Sequence, residues 1–266
     1  MICNRLLMRV APGVVLMLAL AACQTTTEST GGTALGQPSE PMIAEHATFL
    51  EAAQDAEKSR NYDQAAALYG RLFERRPTDP DILAAFIRNM RYSGRAQEVV
   101  NYTATKTPHM LDHTEVKFEY AKALLASGRE GEALTALQES RTQTPDKWQV
   151  HSAIGITLDT MERYGEAQAA YARALHLSPR NAVVMNNQAM SLASAGRLAE
   201  AISVLERAAG LNRTNVNIRQ NLALLYAIDG DMERARALAA MDLGIDELET
   251  NLSFYRRFES VGSEAR

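Results

Sequence analysis

Few side chains in this sequence are placed to do chemistry, and most of those suit gripping another molecule rather than transforming one. His109 and His113 lie four apart, with Asp112 and Glu115 nearby, a spacing that can present two metal ligands from one helix face. They directly follow Pro108, at a segment boundary where solvated histidines are the plainer reading. Glu130, Glu132, Glu162 and Glu166 cluster at inter-helix turns and first turns, and a role as helix-end charges accounts for them better than acid–base pairing does. No Gly-rich phosphate loop, His-Glu-x-x-His, Gly-x-Ser-x-Gly or cysteine pair occurs. The expectation is no catalytic residue, no metal and no cofactor. Amides offer more. Asn187 and Asn221 stand at a spacing of 34, beside Asn186, Asn217 and Gln220. One primary amide donates and accepts at once, as a peptide unit requires. Arg88, Arg91, Tyr92 and Lys122 add cations and an aromatic ring, which suit either an acidic or C-terminal segment of a partner protein or simply a solvated charged face.

The spacing of 34 is general. Gly94, Gly128, Gly196 and Gly230 fall on it, as do Ala65, Ala133, Ala167, Ala201 and Ala235 five positions after the turn. Pro77, Pro145 and Pro179 follow on the same grid, and units starting at His46, Pro80, Thr114, Trp148, Ala182 and Val216 fit without insertion. Counting each start as slot 1, slot 8 is small in Ala53, Ala121, Gly155, Ala189 and Ala223. Two antiparallel helices approach closely only where side chains are small, so slots 8 and 20 predict a seam. Glycine permits the turn between the helices, and proline ends the second one. The fourth unit carries Gly155, Leu158, Tyr164, Ala167, Tyr171, Ala174, Leu177 and Pro179. This pattern resembles the tetratricopeptide repeat. The resemblance implies an all-α solenoid of about six helix-turn-helix units that binds proteins, with the first helices lining its concave face. Asn187, Asn221 and their neighbours, and the Arg88–Lys122 group, would then face a ligand.

Two units depart from the pattern. The second has Ile87 and Val99 at the small slots, then Thr103, Thr105, Thr107 and an early Pro108, which predicts a short or distorted second helix. The sixth lacks its proline and runs into residues 242–246. There Asp246 and Glu249 predict a capping-box start for a final helix over 246–260, with Leu248, Leu252, Tyr255 and Phe258 on its apolar face. Such a helix would lid the last open face of the solenoid.

The front of the chain is of another kind. Arg5 and Arg9 precede an apolar run from Val10 to Ala22 that has the form of an export signal, and it is short for a permanent span. Leu20-Ala21-Ala22-Cys23 resembles the lipobox of bacterial lipoproteins, which implies lipid on the Cys23 sulfur and cleavage before it. Two or three acyl chains hold a protein stably on a membrane. Gln24, in place of an aspartate, implies the outer membrane and its periplasmic face. Cleavage discards Cys3 and leaves no free thiol beside lipidated Cys23, as suits an oxidising compartment. It also removes two arginines and no acid, so the net charge of −4 becomes more negative, and no electrostatic footprint for nucleic acid is present. Residues 23–41 are the modified cysteine and a Gln/Thr/Ser/Gly/Pro tether with a typical reach of about 23 Å. Residues 42–260 form the repeat body.

The combination of lipobox, short tether, six units and a tail reading Asp242-Leu243-Gly244-Ile245-Asp246 through Asn251, Phe254 and Tyr255 to Phe258 resembles the TadD lipoproteins of tight-adherence (Flp) pilus systems. The resemblance implies a non-enzymatic assembly factor that supports the localisation or stability of an outer-membrane secretin. Other outer-membrane repeat lipoproteins share every feature but the tail: type IV pilus pilotins, β-barrel assembly subunits and adaptors of peptidoglycan hydrolases.

Overall fold

Once in each repeat unit the backbone enters the left-handed region, and that recurring event shapes the molecule. Positive φ angles fall at Arg60, Gly94, Gly128, Glu162, Gly196 and Gly230, between 58° and 90°. At each site the next residue's N–H reaches back to a carbonyl five positions earlier, as in Arg95 to Met90 and Arg197 to Leu192, at 2.8–2.9 Å. This is the Schellman closure of a helix, used at all six turns. Glycine marks four of them in the sequence; the other two carry side chains at an αL site. An L-residue there costs about 1–2 kcal/mol, against about 0.5–1 kcal/mol for the greater chain entropy of glycine. Glu162→Gly and Arg60→Gly are therefore each expected to stabilise by about 0.5–1 kcal/mol, read as a higher denaturation midpoint at unchanged slope.

The computed structural model describes residues 40–244 and 246–254; Cys23, tether residues 24–39, Tyr255 and Phe258 lie outside them. Twelve helices alternate: α1 Glu40–Lys58, α2 Tyr62–Arg75, α3 Pro80–Tyr92, α4 Ala96–Lys106, α5 Thr114–Ala126, α6 Glu130–Gln143, α7 Trp148–Thr160, α8 Tyr164–Leu177, α9 Ala182–Ser194, α10 Leu198–Leu211, α11 Val216–Asp229 and α12 Met232–Ala239. Residues 246–254 begin a further helix, α13, and no strand occurs among the described residues. From α3 on, first helices start at slot 1, and every second helix starts at slot 17. α1 begins earlier, at Glu40, inside the stretch expected to be tether.

Helix starts are fixed by two devices. Asp79, Asn181 and Asn215 cap α3, α9 and α11 with side-chain oxygens. At slot 16 of units two to five an arginine forks onto a glutamate three positions on: Arg95–Glu98, Arg129–Glu132, Arg163–Glu166 and Arg197–Glu200. Glu132 and Glu166 are thus helix-start charges held by arginine, whereas Glu162 is a turn residue.

The small slots are fully buried, from Ala53 and Ala65 to Ala223 and Ala235. Gly155 has a partner the seam did not anticipate. A Cβ there would meet the Tyr171 ring at 2.6 Å, so glycine makes room for an aromatic ring rather than for Ala167. Unit two behaves as its composition predicts. α4 stops at Lys106, and a 3-10 turn fills Pro108–Asp112. The Thr103 hydroxyl bonds back to the Val99 carbonyl at 2.8 Å, and Thr107 to that of Thr103 at 3.3 Å. With Ile87 and Val99 at the seam, α3 packs more extensively on α2 and α5 than on its own partner α4.

Leu252 of α13 is buried in the last hydrophobic cluster, with Leu248 packed at its edge, so α13 is the lid of the array. Its start differs from expectation. The Gly244 carbonyl accepts from Leu248 N–H at 2.9 Å, and Glu247 Oε2 accepts from Gly244 N–H at 3.3 Å. The cap is one-sided, Glu247 reaching back to the Gly244 N–H two positions before the expected Asp246. Glu249 faces Arg236 of α12 instead, at 3.6 Å.

Candidate protein-interaction face

First helices touch their successors from α3 to α11, forming one continuous inner layer on which equal slots recur. Its two ends differ in charge.

At the front, a cavity of about 690 Å³ opens among α1, α3 and α5, lined by Leu50, Gln54, Arg88, Glu115 and Glu119. Arg88 forks onto Glu57 at 2.7 and 3.2 Å, and the Tyr69 hydroxyl donates to the same carboxylate at 3.2 Å. Burial pushes Glu57 up, but the Arg88 hydrogen bond and charge outweigh it and hold the carboxyl below its usual range. Burial and the Glu57 charge push Tyr69 up to about 12. Next along the groove, Glu119 accepts from Lys122 at 2.9 Å and from Arg91 at 3.5 Å. Arg91 stacks 4.1 Å over the Tyr92 ring, which lies 4.9 Å from Tyr62. The expected basic patch is therefore an ion-paired lattice: Arg88, Arg91 and Lys122 all have anionic neighbours, and only Tyr92 is widely exposed. The sequence carried the signal for this. Slot 12 of one unit lies beside slot 9 of the next, which places Glu57 on Arg88.

At the back, amides take over. Asn221 Nδ2 donates to Asn186 Oδ1 across the α9–α11 boundary at 2.8 Å, and Asn186 Nδ2 points to Asn187 Oδ1 at 3.4 Å. Three expected contact residues are thus joined in one chain. Asn217 stands exposed in the first turn of α11. Gln220 is diverted, since its Nε2 donates to Asp242 Oδ2 at 3.1 Å and its Oε1 is buried without a partner. Asp242 also takes a fork from Arg219, which holds its carboxyl below the usual range. Gln220 and Arg219 serve to tie the segment before α13 onto α11, so Gln220 is not a free contact residue.

Between the two ends lies a polar knot absent from the sequence reading. Tyr171 Oη donates to Asp159 Oδ2 at 2.7 Å, Ser191 Oγ to Asp159 Oδ1 at 2.6 Å, and Gln168 Nε2 to Ser191 at 2.7 Å. It bridges units four and five. Burial raises the Asp159 carboxyl above its ordinary value, against the pull of both hydroxyls. Such a group binds its proton more tightly folded than unfolded, so its contribution to stability declines as pH rises from about 4 through the raised folded value. Asp159→Asn is expected to flatten that limb of a stability–pH curve measured by denaturant titration.

His113 ends the 3-10 turn that contains His109, both exposed, and among the described residues no three His, Cys, Asp or Glu side chains converge on a metal position. No described helix is long and apolar enough to cross a membrane.

The tetratricopeptide repeat family model matches residues 152–216, and a model of the TT21 fifth ARM repeats domain matches residues 45–158. Among solved structures, a thermophilic TPR protein of Thermus thermophilus, TTC0263, is similar over 68% of this chain and 98% of its own, at 20% identity and a TM-score of 0.59. The crystal structure of the APC/C hetero-tetramer Cut9–Hcn1 is similar over 74% of this chain and 36% of that chain, at 14% identity and a TM-score of 0.54. No curated protein matches in sequence. Fold, repeat grid and the match over residues 152–216 define an all-α helical-repeat solenoid of the tetratricopeptide type.

Proposed function

We propose that this chain is a non-enzymatic protein-interaction scaffold, lipid-anchored through Cys23 to the periplasmic face of the outer membrane. In this reading it serves assembly of a tight-adherence pilus and supports the secretin. The observation that carries the binding role is the continuous inner layer of first helices, with the Asn221–Asn186–Asn187 chain displayed on it. The pilus assignment rests on the lipobox and on the tail from Asp242 to Phe258. Anchoring would raise the effective concentration of the groove near its client, which the inner face grips as an extended or helical segment.

Crosslinking in intact cells, followed by purification through a C-terminal tag and mass spectrometry, is expected to recover a secretin and other tight-adherence components. Barrel-assembly subunits or peptidoglycan enzymes in their place would overturn the pilus assignment. Cys23→Ala is expected to release the protein from the outer membrane without unfolding the repeats. Asn187→Ala combined with Asn221→Ala is expected to weaken client capture and leave localisation unchanged.

A further inference from the structure

The back half of the inner face carries a second, apolar register. At slot 9 of units four, five and six stand Ile156, Met190 and Leu224, each one repeat period from the next. All three are half-buried, with their inner sides against the core clusters. Slot 9 lies three and four positions beyond slots 6 and 5, so it shares their helix face. Those slots hold Ser152 and Ala153, Asn186 and Asn187, Gln220 and Asn221. No ionisable side chain occupies slots 5, 6 or 9 of these three units, whereas units two and three place Arg88, Glu119 and Lys122 there. At these slots a charged ligand segment finds counter-charges only at the front; the acids nearest the back slots are already held, Asp159 by Tyr171 and Ser191 and Asp242 by Arg219 and Gln220, so an uncharged segment fits there.

Spacing narrows the ligand further. Packed helices lie about 8–10 Å apart, and the 2.8 Å Asn221–Asn186 bond shows α9 and α11 in direct contact. The aliphatic rungs thus recur at about that interval. A β-strand covers it in about three residues, but its side chains alternate faces, so every third residue points the wrong way. A polyproline II segment advances about 9.3 Å per turn of three residues, which keeps every third side chain on one face. It also leaves its backbone N–H and C=O groups without internal partners. The amide chain has two such groups to spare: among the described residues nothing bonds to Asn187 Nδ2 or to Asn221 Oδ1. One end of the chain offers a donor and the other an acceptor.

We infer that the face formed by α7, α9 and α11 binds an uncharged polyproline II segment of a partner protein with an aliphatic residue at every third position. The aliphatic side chains sit on Ile156, Met190 and Leu224. The segment's backbone takes a hydrogen bond from Asn187 and gives one to Asn221, which sets its direction. This inference rests on the inner face being the client site and adds the chemistry of the client.

The test is fluorescence anisotropy with a labelled peptide of four Leu-Pro-Gln triplets. Its control has the same composition with leucines at every second position. The triplet peptide is expected to bind at least tenfold more tightly than the control, without loss in 0.5 M salt. Met190→Gln, which keeps the length of the side chain, is expected to weaken binding about tenfold while the circular dichroism spectrum stays helical. Glu98→Gln, exposed on α4 and outside the inner layer of first helices, is expected to leave binding unchanged. Equal affinity for the two peptides, or no effect of Met190→Gln, overturns the inference. If the cellular client still crosslinks to α9 and α11 while the triplet peptide does not compete, the client site stands and its proposed chemistry falls. If the client crosslinks elsewhere, both fall.

Discussion

Glu119→Ala is expected to destabilise the protein by about 3 kcal/mol, because removing one partner of a buried ion pair leaves the other charge uncompensated. Glu119 sits with 9% of its side chain exposed between Arg91, at 13%, and Lys122, at 26%. Without it two cations from successive units face each other in the groove, and Arg91 has a buried Nε with no partner already. Glu119→Gln should recover part of the loss, since it still accepts a hydrogen bond but carries no charge. Urea denaturation of the three proteins checks this. A cost below about 1 kcal/mol, the range of exposed pairs, would mean that water reaches these cations and that the front of the groove is more open than the lattice implies.

Leu252→Ala is expected to cost about 2–5 kcal/mol, the range for emptying a buried leucine site, but the loss should fall on the end of the array. Leu252 is 2% exposed and belongs to the cluster formed by α9 to α12. In a solenoid each unit contacts only its neighbours, so undocking α13 uncovers α11 and α12 and leaves the front units intact. Hydrogen exchange resolved by segment should show faster exchange in α11 and α12, with α2 and α3 unchanged. Uniform loss of protection along the chain would show that the six units unfold as one.

What could be read from the sequence divides along physical lines. Anything set by backbone geometry at a fixed period was legible: the Schellman turns announced by glycine, the helix starts, and the weak hairpin of unit two from Ile87, Val99 and Pro108. Gly155 was visible as a small residue, but its reason, the Tyr171 ring, is a contact made across the hairpin from α8. Side-chain pairing was the part not read. Arg88, Arg91 and Lys122 look like a basic surface when counted alone. Placing Glu57 and Glu119 among them requires knowing which slots of adjacent units touch. The Gln220–Asp242 bond was unread for the same reason, since Asp242 belongs to a segment beyond the repeat grid. The Asp159 knot joins four residues whose types are ordinary and whose convergence is a product of stacking.

The loosened hairpin of unit two makes the covalent chain dispensable at one place. α3 is held by α2 and α5 more than by α4, and α4 leads through Lys106 into the 3-10 turn before α5. A cut after Lys106 severs the backbone but leaves the α3–α5 interface whole. The protein nicked there should therefore persist as two fragments that co-purify, and the fragments, expressed separately, should find each other. The turn after Lys106 is where an inserted domain or a reporter could be carried while the α3–α5 interface stays whole.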